Sequence, residues 1–432
     1  MNTLDQRVAT RHGWRVAFAS GLASYVDAGA IAGTGTALVI LQGPLGLTPG
    51  QIGQLSALLT VMIAGGALIG GRLGDRLGRR RVFLATLSIF IVAAFALMLF
   101  PSVPVLYVGL ALLGFAAGAD LPVSMAMIAE SAPEDKRGKM VTFTHVLWMA
   151  GILGVIVISI FFGNAGMLGA QIIYGHLAVV ALLAVALRWG IKESRLWTET
   201  RNVAVGDDAV DGERVDLSSL RALFAPKLLA PLVATGLFYA LVNIAANTNG
   251  QFSTYLFVNV AGTDVATASM LGLGILLLSV AGLFVMMKIV DTSKRHRSFV
   301  IAAILALAGL AVPLVFGITA VTLVVMGVLG ALGGAIAGEP MYKIWSQELF
   351  PTSHRSTAQG ITIAFARLVA AGAALVTPLI ISAGPTLLFV FLIITSGAAY
   401  LIGIFWIFRM RTFLKGDGGV TVTQDARQNV AG

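Results

Sequence analysis

The 432 residues contain no cysteine. Disulfides, thiolate metal sites and thiol nucleophiles are therefore excluded. Charge is scarce too: 11% of residues are Asp, Glu, Lys or Arg, against about 25% in a soluble domain. No GxxxxGK[ST] segment is present to cradle nucleotide phosphates, so direct ATP use is not expected, and neither HExxH nor CxxC offers a metal site. No helix carries a basic stripe for nucleic acid. No catalytic constellation argues for an enzyme, and no cofactor is implied. What the chain has in quantity is apolar: 57% of its residues are hydrophobic, and 50 are glycine.

That composition belongs in a bilayer. Twelve apolar runs approach the roughly 20 residues that a spanning helix needs. They are Trp14–Leu41, Gln51–Leu73, Val82–Phe100, Val105–Ala129, Met140–Phe162, Ala170–Trp189, Leu228–Val258, Ala268–Val290, Phe299–Phe316, Val321–Trp345, Thr357–Ala383 and Thr386–Phe408. The loops after the odd-numbered spans hold no lysine or arginine, and Asp264 is their only charge. Basic residues gather in the other loops and in both tails. By the positive-inside rule both termini are cytoplasmic, and this topology accounts for the +9 net charge. Met1–Gly13 is charged and the first apolar run is too long for the core of a cleavable leader, so none is expected. The longest polar interruption, Lys192–Lys227, carries an acidic patch (Asp207, Asp208, Asp211, Glu213, Asp216) and then Leu217–Phe224, which could form an interfacial helix. The predicted organisation is a six-helix half over 1–191, a cytoplasmic linker over 192–227, a second six-helix half over 228–410 and a cytoplasmic tail over 411–432.

The halves echo one another. Gly70–Val82 reads GGRLGDRLGRRRV, too charged to stay in hydrocarbon. In it Asp75 and Arg76 precede Arg79, Arg80 and Arg81; Asp291 precedes Arg295, His296 and Arg297 at the same spacing, 216 residues later. Glu130, Pro133 and Arg137 follow the fourth span; Glu348, Pro351 and Arg355 follow the tenth, offset by 218. Pro122 falls opposite Pro340. Such a parallel repeat implies a pseudo-twofold axis along the membrane normal and a substrate site between the halves near the midplane. The predicted fold is an all-α membrane protein of twelve transmembrane helices in two pseudo-symmetric halves.

GRLGDRLGRRR resembles the major facilitator loop signature, G-x3-D-R-x-G-R-R, and the Glu130/Pro133/Arg137 set resembles the E-x2-P-x3-R-G signature of its sugar-porter-like branch. GFAAGADLPVSMAMIAE is similar to the fourth span of the metabolite–proton and phosphate–proton symporters, with Pro122 and Glu130 eight residues apart as in that group. KESRLW, Lys192–Trp197, is a worn form of the sugar-porter PESPRW. The arginine that the family carries early in span 4 is missing. Where phosphate symporters have W-x3-D-x3-Y, this chain has Tyr239, Asn243 and Asn247, and loss of the acid speaks against phosphate itself. The resemblance implies a carrier in the cytoplasmic membrane of a bacterium, working as a monomer, with protons, a small molecule and the bilayer as its partners. It also implies a gating role for Asp75, Arg76, Arg79, Arg80, Asp291 and Arg295, with Asp75 pairing with arginines and a neighbouring helix amino-terminus. Glu130, Arg137, Glu348 and Arg355 take the same role.

Within the spans, polar residues are weighed against packing. Asp27 lies about 20 Å into span 1 at 1.5 Å per residue, on one stripe with Ser20, Ser24 and Thr34. A carboxylate there costs a few kcal/mol unless paired or protonated, which suits a proton carrier better than a structural bond. Asp120, beside Pro122, is either a second proton site or a substrate ligand; the proline is expected to open the helix ladder nearby. Glu339 and Lys343 can pair along one helix, and Arg367 can pair with Glu339 or hold an anionic substrate group. Tyr239, Asn243, Asn247, Gln251 and Tyr255 form a stripe on span 7 that exceeds what interhelical hydrogen bonding needs and reads as cavity lining, joined by His145 and Trp148. His176 is read as structural. The resulting expectation is proton-coupled uptake of a small polar metabolite, an organic acid or a sugar or polyol. The rivals are a drug–proton antiporter and a ligand sensor that does not transport.

Overall fold

The computed structural model describes residues 3–133, 137–191, 193, 224–289, 292–350 and 355–410. Thirteen α-helices and no strand occur among them. They are α1 (Thr3–Leu45), α2 (Pro49–Leu77), α3 (Arg79–Leu99), α4 (Val103–Ser131), α5 (Arg137–Phe162), α6 (Met167–Trp189), α7 (Pro226–Tyr255), α8 (Val265–Ile289), α9 (Arg295–Phe316), α10 (Ala320–Ala337), α11 (Glu339–Glu348), α12 (Arg355–Ala383) and α13 (Pro385–Phe405). Among the described residues, twelve segments are long and apolar enough to cross a membrane, with α10 and α11 sharing Ala320–Ser346. Large apolar side chains such as Leu68, Val92, Phe161 and Ile304 stand exposed, as a surface that faces lipid requires.

The prolines of the repeat behave differently. Pro340 follows a break: Gly338 leaves helical geometry (φ −98°, ψ −144°), so span 10 is two helices rather than the one expected. Pro122 sits inside α4, which runs through it uninterrupted, so the expected opening does not divide the helix. The arginines of the loop signature also lie elsewhere than expected. Gly78, at φ 98°, turns the chain sharply enough that α3 begins at Arg79 rather than Val82. The cations therefore occupy the first turn of a helix, where the macrodipole disfavours them, and a nearby anion is needed.

Two compact units are distinguished. The first comprises Met1–Gly212, Thr248–Leu273 and Ala371–Ala383, and the second Glu213–Asn247, Gly274–Ala370 and Gly384–Gly432. In the first, α1 packs on α4, α5 and α6, α3 packs on α4 and α6, and α2 lies along α4. The α2–α4 approach depends on small residues: a Cβ at Gly66, Gly70 or Gly118 would collide with backbone of the facing helix. In the second, α9 packs on α10 and α13. An aromatic cluster fills its core, with the Phe299 ring 5.3 Å from Trp345, 5.4 Å from Phe408 and 6.2 Å from Tyr400.

Candidate transport and gating sites

The two halves of the repeat make the same ion pair. Arg79 Nη2 lies 3.1 Å from Glu130 Oε1, and Arg295 Nη1 lies 2.7 Å from Glu348 Oε1. Each cation sits four residues after the aspartate of its loop motif, and each glutamate follows the span expected from the sequence. The side chains are partly shielded, 13% and 18% exposed in the first pair and 25% and 26% in the second. The anion required at the start of α3 is Glu193, from the worn KESRLW stretch. Its carboxylate accepts the backbone N–H of Arg79 at 3.0 Å and of Arg80 at 3.1 Å. Arg80 also donates through Nη2 to the Trp189 carbonyl at 3.0 Å, tying α3 to the end of α6. Arg76 is exposed at the end of α2. The side chains of Asp75, Arg137 and Arg355, and Asp291 altogether, lie outside the described residues.

The sequence offers Asp120 as a proton site or a substrate ligand, and the structure gives both of its oxygens a partner in Arg188. Arg188 Nη1 donates to Oδ1 at 2.8 Å and to Oδ2 at 2.9 Å. The same guanidinium donates through Nε to the Ala19 carbonyl at 2.9 Å and through Nη2 to the Ser20 carbonyl at 2.7 Å. Its Cζ stands 5.1 Å from the centre of the Phe83 ring. The pair is 0% and 1% exposed. One planar fork thus joins α6, α4, α1 and α3, a geometry that lysine could not reproduce.

Asp27 is 1% exposed, and Ser20, Ser24 and Thr34 of its stripe are buried with it. Two residues earlier on α1, Tyr25 shares a 2.9 Å hydrogen bond with Nε2 of His176 on α6, whose Nδ1 lies 3.2 Å from the Ile173 carbonyl. His145 and Trp148 stack on α5, with ring centres 5.7 Å apart.

The span-7 stripe divides. In the second unit Tyr239 stacks face to face on Tyr342 of α11, centres 3.9 Å apart and planes within 7°. The Tyr342 hydroxyl shares a 2.6 Å hydrogen bond with Thr362 of α12. Glu339 Oε1 pairs with Lys343 Nζ at 2.8 Å, as the i, i+4 spacing predicts. Asn243 is buried one turn on, and Asn247 Nδ2 donates to the Ala370 carbonyl at 3.5 Å. Gln251 and Tyr255 belong to the first unit instead. Gln251 Nε2 donates to Thr60 of α2 at 2.9 Å, and its backbone lies against Gly35 of α1, where a Cβ would collide. Gln251 thus joins α7 to α2 by an interhelical hydrogen bond. Tyr255 is buried at the end of α7, where the backbone widens into a π-helical turn over Leu256–Val260.

Residues 16–337 match the family model described as Major Facilitator Superfamily. The chain belongs to that superfamily. This major facilitator is 30% identical over 369 residues to the minor myo-inositol transporter IolF of Bacillus subtilis (strain 168), covering 84% of this chain and 83% of the relative. It is 24% identical to the inner membrane metabolite transport protein YgcS of Escherichia coli (strain K12), with 86% of each chain covered. Its fold is that of the crystal structure of a D-xylose–proton symporter, with TM-score 0.73 and 19% identity over 91% of this chain and 96% of that one. The protein is thus a multi-pass membrane transporter of the major facilitator type.

What the sequence reading of this major facilitator missed is partner identity. Arg188 lies one residue before the end of its span, beside the basic residues of the following loop. Only contact with a buried acid from α4 distinguishes it, and that contact is 68 residues away in the chain. Tyr342 and Thr362 belong to no motif in the sequence. A signal for Tyr342 existed, since it lies three residues after Glu339 on the same helix face.

Proposed function

We propose that this transporter couples inward proton movement to uptake of a small neutral polyol or sugar by alternating access. The observation that carries the reading is the Tyr239–Tyr342 stack with Asn243 and Asn247 following on α7. Aromatic faces cover the C–H side of a hydroxylated ring, and amides both donate to and accept from its hydroxyls. The likeness to a myo-inositol transporter supports the same class. Asp27 is assigned the proton: it is a carboxylate buried within a spanning helix, where ionisable groups are functional by default. Each inward proton supplies roughly 2.3 kcal/mol per 100 mV, enough for about fiftyfold accumulation. Opening and closing at the arginine-rich end is assigned to Arg79–Glu130 and Arg295–Glu348.

A second reading has its own support. Glu339 and Lys343 pair on α11, and Arg367 adds a further cation within the spanning part of α12, which favours an organic anion. One experiment separates the two: thermal stabilisation of the purified protein by myo-inositol, other polyols, sugars and carboxylates, repeated with Arg367→Ala. Stabilisation by a neutral polyol that survives Arg367→Ala supports the first reading, and a carboxylate response lost with Arg367 replaces it by the second. In proteoliposomes, Asp27→Asn is expected to abolish gradient-driven accumulation while leaving substrate exchange; unchanged accumulation would remove Asp27 from the proton path.

A further inference from the structure

Asp264 is the only charged side chain in the loops after the odd-numbered spans, so its surroundings are informative. It precedes α8 and caps that helix: Oδ1 accepts the Thr267 N–H at 3.0 Å, and Oδ2 accepts the Thr267 hydroxyl at 2.6 Å. A second residue engages the same turn. Asn164, in the loop between α5 and α6, donates through Nδ2 to Asp264 Oδ1 at 2.7 Å, and its Oδ1 accepts the Ala266 N–H at 3.3 Å. One asparagine from the first sequence half thus holds the first turn of a helix from the second half by two hydrogen bonds, one of them charge-assisted. The Thr267 hydroxyl, Asn164 and the Thr267 N–H together hold the carboxylate well below the usual range, so it is ionised at any physiological pH.

The same compact unit contains further closures between these sequence halves. Thr36 shares a 3.2 Å hydrogen bond with Thr254, Gln251 reaches Thr60, and Gly53 of α2 abuts the Leu375 carbonyl of α12. Gly53, Ser56 and Thr60 lie on one face of α2, and Ser56 is 1% exposed. An alternating-access carrier must separate its halves at this end whenever it opens to that side, and helix capping alone has no need of Asn164.

We propose that Asn164 and Asp264 form a latch that holds this end of the transporter shut and is released each time it opens there. The inference rests on the transporter reading, but not on the polyol assignment. The absence of native cysteine makes the test direct. Ser56→Cys is nearly isosteric and leaves the Ser56 carbonyl on Thr60 intact, so it reports opening through its labelling rate with a membrane-impermeant maleimide. Adding Asn164→Ala or Asp264→Asn is expected to raise that rate by up to about fivefold, the upper range for an exposed polar pair. Thr267→Val weakens the α8 cap but spares Asn164, and is expected to leave the rate unchanged. Equal labelling in all four proteins overturns the latch; so does a rise with Thr267→Val that matches Asn164→Ala, because capping would then explain it. If the Ser56→Cys parent takes up no polyol, the substrate reading fails, and the labelling result still decides the latch.

Discussion

Replacing Arg188 with methionine leaves the Asp120 carboxylate in a site that is 1% exposed, with its bidentate partner gone. The carbonyls of Ala19 and Ser20 lose their guanidinium donors in the same step. Removing one member of a buried pair costs roughly 3–5 kcal/mol, because a charge is stranded where water cannot reach it. At about 2–4 °C per kcal/mol for a unit of this size, the melting temperature of Arg188→Met should fall by roughly 6–20 °C, measured by intrinsic fluorescence of the 6 tryptophans in detergent. Arg188→Lys keeps the charge but cannot span both Asp120 oxygens and two carbonyls, so it should fall between the two. The decisive protein is the double variant Arg188→Met with Asp120→Leu. Replacing both members of a buried pair by apolar groups is often neutral or stabilising by about 1–4 kcal/mol, so the double variant should recover most of the loss. A double variant as unstable as the single one would refute the stranded-charge argument. Proton-coupled uptake retained by the double variant would also assign Asp120 a structural role and leave Asp27 as the proton site.

Other outcomes follow from the described contacts. Arg79→Ala and Arg295→Ala should each cost about 1 kcal/mol or less in stability, since their pairs are partly exposed; both should impair transport to a similar degree, and a large effect at only one would break the proposed equivalence of the halves. Glu193→Ala removes the carboxylate from the start of α3 and should destabilise the protein by about 1 kcal/mol; replacement by Gln, which still offers an oxygen, should cost less. For Asp264, the folded carboxylate lies below its ordinary value. Its contribution is therefore fully present above about pH 4 and lost only as pH falls through the lower folded value. Uptake measured between pH 5 and 8 should change by a constant factor in Asp264→Asn, and a factor that varies across that window would contradict the hydrogen-bonded geometry.

How much of this was legible in the sequence depends on whether a feature is local or periodic. Span positions follow from apolar run length, which lipid enforces on every residue of a helix, so they were readable. The paired glutamates were readable for another reason: duplication wrote them twice, and Glu130 and Glu348 each receive an arginine of the preceding loop motif. The buried stripe of Ser20, Ser24, Asp27 and Thr34 followed from helical period alone. Partner choice across helices follows from none of these. Arg188 has no echo in the second half, where Trp406 stands 218 residues later, so the repeat could not announce it. Gln251 and Asn247 share a helix face, yet Gln251 bonds to α2 and Asn247 to the α12 backbone. A period of 3.6 residues fixes the direction a side chain points relative to its own helix; it says nothing about which helix stands there. In a bundle where 50 glycines let backbones approach closely, that second fact decides whether a buried amide lines a path or closes one.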